Sequence, residues 1–197
     1  MTLRLDRYLA LGDSFTIGTG ITPDRSFPAM LVDRSRGTVA IELRNPAVNG
    51  YTTEDLIRDE LPQATHFRPT FVTLLIGAND IVRRWSEERY GQQLGRIHQG
   101  LSDAGVPAES VVALPQPYWS SAPVAASFGD RAALRATIER FNSVARSEAE
   151  RFAGRYVDLS ALMADQAERK LFASDGLHPS AAAHAEWADA ILKALDR

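Results

Sequence analysis

A serine hydroxyl is a weak nucleophile until a neighbouring base takes its proton, and the usual base is a histidine held in one tautomer by a carboxylate. The chain offers four histidines for that role. His66 precedes a Pro-containing turn and His98 falls in a polar helical segment, so both read as surface residues. His184 sits inside the last helical segment and reads as a partly buried helix residue. His178 differs, because it lies in Ser174-Asp175-Gly176-Leu177-His178-Pro179-Ser180, a loop leading into a capped helix. Asp175, across a glycine-containing turn, could fold back onto one ring nitrogen and leave the other facing a cleft. Taken alone, the Asp-x-x-His spacing is equally compatible with a structural turn.

The other groups are ambiguous one by one. In Gly12-Asp13-Ser14, Gly12 could merely end a strand while Asp13 or Ser14 caps a helix. Asn79, in Gly77-Ala78-Asn79-Asp80, could stabilise a turn, and Gly50 could be a glycine required by a positive φ. Asp175, His178 and His184 could be assembled into a metal set, but no fourth ligand stands at a recognisable spacing. Asp13 and Asp80 lack the phosphate-cradling glycine loop that phosphoryl chemistry needs, and bracing their turns is the preferable role.

The elements that must position these residues follow from the hydrophobic pattern. Short apolar runs at Tyr8–Leu11, Val39–Leu43, Phe71–Ile76, Val111–Leu114 and Tyr156–Leu159 read as strands. Helices are expected over Ser26–Arg36 with Gly37 as its stop, from Thr53 with a capping hydroxyl and early acids, from a cap at Asp130 to about Phe152, and after a cap at Ser180. Strands alternating with helices predict a five-stranded parallel sheet covered on both faces, a three-layer α/β/α sandwich of flavodoxin-like type. The working residues of such a sheet gather at the carboxyl ends of its strands. Gly12-Asp13-Ser14, Asn49-Gly50 and Gly77-Ala78-Asn79-Asp80 each follow one strand, so one edge should hold all of them.

In combination these blocks resemble the SGNH hydrolases, the GDSL esterase/lipase family, which is recognised by separated blocks carrying Ser, Gly, Asn and His in that order. Gly12-Asp13-Ser14-Phe15 is similar to the first block, with Phe15 where the family name has leucine; its side chain is expected to pack under the turn. Asn49-Gly50 stands for the second, a loose match to which Asn45 or Asn49 could contribute instead. Gly77-Ala78-Asn79-Asp80 and Asp175-Gly176-Leu177-His178-Pro179 complete the set. There is no Gly-x-Ser-x-Gly elbow of the ordinary α/β-hydrolases. The resemblance covers nearly the whole chain and implies a single hydrolase domain over residues 1–197. It implies Ser14 as nucleophile, His178 as base and Asp175 as its orienting acid. It also implies the Ser14 and Gly50 N–H groups and the Asn79 amide as oxyanion donors, with no metal or organic cofactor.

Composition narrows the partners. A net charge of −3 and a pI near 5.8 argue against a nucleic-acid or anionic-membrane surface. The absence of cysteine excludes disulfides and thiolate chemistry. No apolar run is long enough to span a bilayer, and the charged N-terminal residues do not read as a secretory signal, which leaves the cytoplasm as the expected compartment. The expected substrate is a small-molecule ester. The aperiodic stretch from Gln116 through Phe128 should border the cleft, where Tyr118, Trp119 and Phe128 either line an acyl pocket or pack the loop down; Tyr51, after Gly50, is a further candidate wall. Trp187 reads as core.

Overall fold

A computed structural model describes residues 6–35 and 40–195. In chain order the elements are β1 (Arg7–Gly12), α1 (Ser14–Ile17), α2 (Phe27–Arg34), β2 (Glu42–Arg44), α3 (Thr53–Asp59), α4 (Gln63–Phe67) and β3 (Phe71–Leu75). They continue with α5 (Ala78–Val82), α6 (Glu87–Asp103), β4 (Val111–Ala113), α7 (Arg131–Arg151), β5 (Arg155–Tyr156), α8 (Ser160–Glu168) and α9 (Ala181–Leu195). The sheet is entirely parallel with order β2-β1-β3-β4-β5, and Tyr8 through Gly12 register against Phe71 through Leu75.

Strand alternation feeds two hydrophobic layers. Tyr8 and Ala10 of β1 join Phe27 and Leu31 of α2 and Trp187 and Ile191 of α9, whereas Leu9 and Leu11 join Leu56 of α3, Leu94 and Ile97 of α6 and Phe141 of α7. These side chains are almost wholly removed from solvent, and each leucine, isoleucine and phenylalanine among them stabilises the fold by about 1.5–3 kcal/mol. Trp187 is core, as its spacing indicates, and its buried indole N–H donates to Gln166 Oε1 at 2.7 Å.

Several boundaries move. The expected helix end at Arg36 and Gly37 and the start of the second strand at Val39 lie outside the described residues; the described part of that strand runs one residue later, to Arg44. The fifth strand is shorter and earlier than expected, because Asp158 accepts the Ser160 N–H at 2.9 Å and turns the chain into α8. The α3 hydroxyl cap is Thr52 rather than Thr53, in a reciprocal capping box with Asp55. His98 is not a surface residue: it is 4% exposed and stacked on Phe152, a ring that follows α7. The polar composition of α6 hid this contact because only helix pairing creates it.

Candidate active site

The strand order reverses direction between β1 and β3, and crevices beyond the carboxyl ends of strands form at such a switch point. Ser14 follows β1 and Asn79 follows β3, so both flank it. Ser14 opens α1 and is 6% exposed. Asp13 caps that helix, its Oδ1 accepting the Phe15 N–H at 3.0 Å. Asp80, fully buried, accepts the Thr53 N–H at 3.1 Å, as well as the Thr53 hydroxyl. The two aspartates therefore brace their turns.

Gly50 has φ +87° and open space where a Cβ would stand, so its backbone is exposed in a conformation that other residues seldom adopt. The Asn79 amide donates to the Tyr51 carbonyl at 2.9 Å, which draws the β3 loop onto the residue after Gly50 and leaves the second amide hydrogen for another acceptor. Asn45 is committed elsewhere, its amide donating to the Thr16 carbonyl at 3.2 Å.

Asp175 does fold back on His178. Its Oδ2 lies 2.7 Å from His178 Nδ1, and its Oδ1 accepts the N–H groups of Leu177 and His178 at 2.9 and 3.0 Å. Partial burial alone would raise this carboxyl, but those N–H groups and the imidazole outweigh it and hold Asp175 below the ordinary carboxylate range. An ionised carboxylate can only accept, so Nδ1 carries the hydrogen and Nε2 is free to accept one. His178 is 8% exposed and its ring sits against Phe15, ring centroids 5.5 Å apart. Phe15 adjoins Ser14, so this contact docks the His178 loop onto the Ser14 turn. Gly20 also meets that loop: with φ +87°, a Cβ built on it would stand 2.9 Å from Asp175 Oδ2.

The remaining candidates divide. Tyr118 and Trp119 are 8% and 3% exposed and belong to the core, with Arg135 stacked 3.3 Å over the Tyr118 ring. Phe128 is 41% exposed and meets Trp119 edge-on. The Tyr51 hydroxyl donates to Asp59 at 2.8 Å. The loop is fastened to the His178 loop by the Val124 N–H donating to the Gly176 carbonyl at 3.2 Å. His184 accepts the Phe27 N–H on Nδ1 at 3.1 Å, which takes it out of a metal set with Asp175 and His178. Sequence reasoning passed over Glu60, whose buried carboxyl accepts the Gly12 N–H at 2.9 Å from 48 residues away.

Comparison with known proteins agrees with this geometry. The profile of the GDSL-like lipase/acylhydrolase family matches residues 10–186. No curated protein matches the chain. Among solved structures, a G-D-S-L family lipolytic protein from Veillonella parvula superposes with a TM-score of 0.78 at 18% identity, over 97% of this chain and 98% of that one. The psychrotrophic esterase EstA from Pseudoalteromonas sp. gives 0.75 at 21%, over 98% and 100%. The acetylxylan esterase Axe2 from Geobacillus stearothermophilus gives 0.76 at 21%, over 100% and 97%. These likenesses establish the fold, and the profile establishes the family: the chain belongs to the GDSL-like lipase/acylhydrolase family and is a carboxylic ester hydrolase of the SGNH type. No helix among the described residues is long and apolar enough to cross a membrane.

Proposed function

We propose that the chain, working as one catalytic domain, is a serine esterase that hydrolyses small or short-acyl esters through an acyl-enzyme on Ser14. The observation that carries this reading is the Asp175–His178 pair at 2.7 Å, pressed against the nucleophile turn through Phe15. His178 takes the Ser14 hydroxyl proton on Nε2 as the oxygen attacks the acyl carbonyl, and Asp175 stabilises the imidazolium. The oxyanion receives the Ser14 and Gly50 N–H groups and the free hydrogen of the Asn79 amide. The imidazolium returns its proton to the leaving alcohol. A water activated by the same imidazole then releases the acid.

Two observations favour a short acyl group. Tyr118 and Trp119 are spent on packing the loop into the core. The acetylxylan esterase among the structural relatives acts on an acetyl ester, in keeping with such a site.

The test is hydrolysis of p-nitrophenyl esters from acetyl to long acyl, with Ser14→Ala alongside. The relative EstA is inhibited by monoethylphosphonate, so a fluorophosphonate probe is added to report the serine directly. Wild-type turnover greatest on the shortest esters, with labelling and turnover both lost in Ser14→Ala, is expected. Activity that survives Ser14→Ala, or a preference for long chains, would overturn the reading.

A further inference from the structure

Glu60 stands at the C-terminal cap of α3 and is 1% exposed, yet among the described residues no arginine or lysine pairs with it. Its Oε2 accepts the Gly12 N–H at 2.9 Å, while Oε1 is buried without a hydrogen-bond partner. Asp13, beside it in the same turn, likewise buries Oδ2 without a partner. Unpaired buried polar atoms are costly. Their presence behind the nucleophile calls for a role.

The arrangement of α3 supplies one. At its first residue, Thr53, α3 is tied by Asp80 to the loop that carries Asn79. At its far end Glu60 ties it to Gly12, the last residue of β1 before the nucleophile turn. Just upstream of α3 lies Gly50-Tyr51, and the Tyr51 carbonyl takes the Asn79 amide. The helix is thus a splint that sets the spacing of Ser14, Gly50 and Asn79, and Glu60 is its attachment to the serine.

We propose that Glu60 is a positioning residue of the ester hydrolysis, acting through the Gly12 N–H to hold the nucleophile turn in register with the Gly50 and Asn79 oxyanion donors. The proposal rests on the Ser14 reading above. What the turn requires is an acceptor, not a charge. Burial pushes the Glu60 carboxyl up to about 8 against the opposing Gly12 N–H, and Asp13 and Asp59 push the same way. Oε2 accepts the Gly12 N–H in either protonation state, a part that an amide oxygen can also play.

The test compares Glu60→Gln, Glu60→Leu and Glu60→Asp with wild type and with Ser14→Ala in steady-state hydrolysis of p-nitrophenyl acetate. Glu60→Gln keeps an acceptor of the same reach and should retain kcat within about threefold of wild type. Glu60→Leu removes the acceptor and Glu60→Asp pulls it back by one methylene. Both should lose kcat on the order of tenfold to a hundredfold with little change in KM, as expected for displaced catalytic groups. If Glu60→Leu fails to fold, Glu60→Asp decides. Wild-type kcat in Glu60→Asp, or a loss in Glu60→Gln as large as in Glu60→Leu, would overturn the role of Glu60 while leaving Ser14 catalysis intact. Activity in Ser14→Ala would instead remove the reading on which the proposal stands.

Discussion

The two halves of the site are built in opposite ways. The nucleophile turn is sunk in the molecule, with Asp13 fully buried and Ser14 at 6% exposure. Its ties come from far along the chain: Glu60 reaches Gly12 across 48 residues, and the Thr16 hydroxyl donates to the Leu75 carbonyl across 59. The base loop is shallower and largely self-made. The Asp175 side chain is 35% exposed, and its hydrogen bonds go to residues within three positions of it. One half takes its geometry from the sheet and its helices. The other is a short turn that has to be pressed into place by Phe15, Gly20 and the Val124 N–H. Damage to the base loop should therefore cost rate with little stability, and damage around the serine should cost both.

The sharpest way to break that contrast is Asp175→Asn. The amide keeps an acceptor for the Leu177 and His178 N–H groups but can favour the wrong imidazole tautomer, so kcat should fall on the order of 10³- to 10⁴-fold. The melting temperature should stay within a few degrees of wild type. A large drop in melting temperature would show that the base loop also supports the fold. Asn79→Ala comes next, removing a proposed oxyanion donor and the tie to Tyr51 together; kcat should fall on the order of 10²- to 10³-fold. Stability should fall as well in this variant, by about 1 kcal/mol for the lost hydrogen bond, and denaturant unfolding would reveal it.

Gly20→Ala sharpens the comparison from the other side. The added methyl group lies 2.9 Å from Asp175 Oδ2 at a φ of +87°, so the carboxylate has to move. A misplaced orienting group should reduce kcat by about tenfold. Unchanged kinetics would mean that the base loop yields without consequence.

The smallest effect is one of pH on stability. Burial, opposed by the Phe15 N–H and reinforced by Asp80, raises Asp13 to about 7, and burial raises Glu60 to about 8. The unfolded chain sheds these protons from near pH 4 while the folded chain keeps them, so stability falls as pH climbs from about 4 to about 8. Burial lowers His98 to about 4 and His184 to about 3 from the ordinary 6.5. There the unfolded chain takes up protons that the folded chain refuses, so stability falls as pH drops from 6.5 towards 3. The opposed slopes leave melting temperature highest between about pH 4.5 and 6.5. In Glu60→Gln the alkaline decline should be shallower, whereas in Asp175→Asn it should be unchanged. A decline equally steep in all three proteins would separate it from the nucleophile turn.

The amino-acid order alone was enough for the class of fold and to single out the groups proposed here to react. Tyr8–Leu11 and Phe71–Ile76 are apolar runs that only a doubly covered sheet can bury, and Ser14 and Asn79 directly follow strands of that kind. Asp175 and His178 are near enough in sequence for one turn to join them, so their pairing could be anticipated from spacing. Other features had no local signature. The order β2-β1-β3-β4-β5 is set by which strands pair. His98 sits in a polar segment and is buried only because Phe152 covers it. Tyr118 and Trp119 could equally have stood in an open cleft until the packing of the loop buried them. Glu60 carries no local signal of its role, yet it meets Gly12 across 48 residues. Periodicity and turn chemistry are local and can be read along the chain, whereas burial and long-range hydrogen bonds exist only after distant segments have packed together.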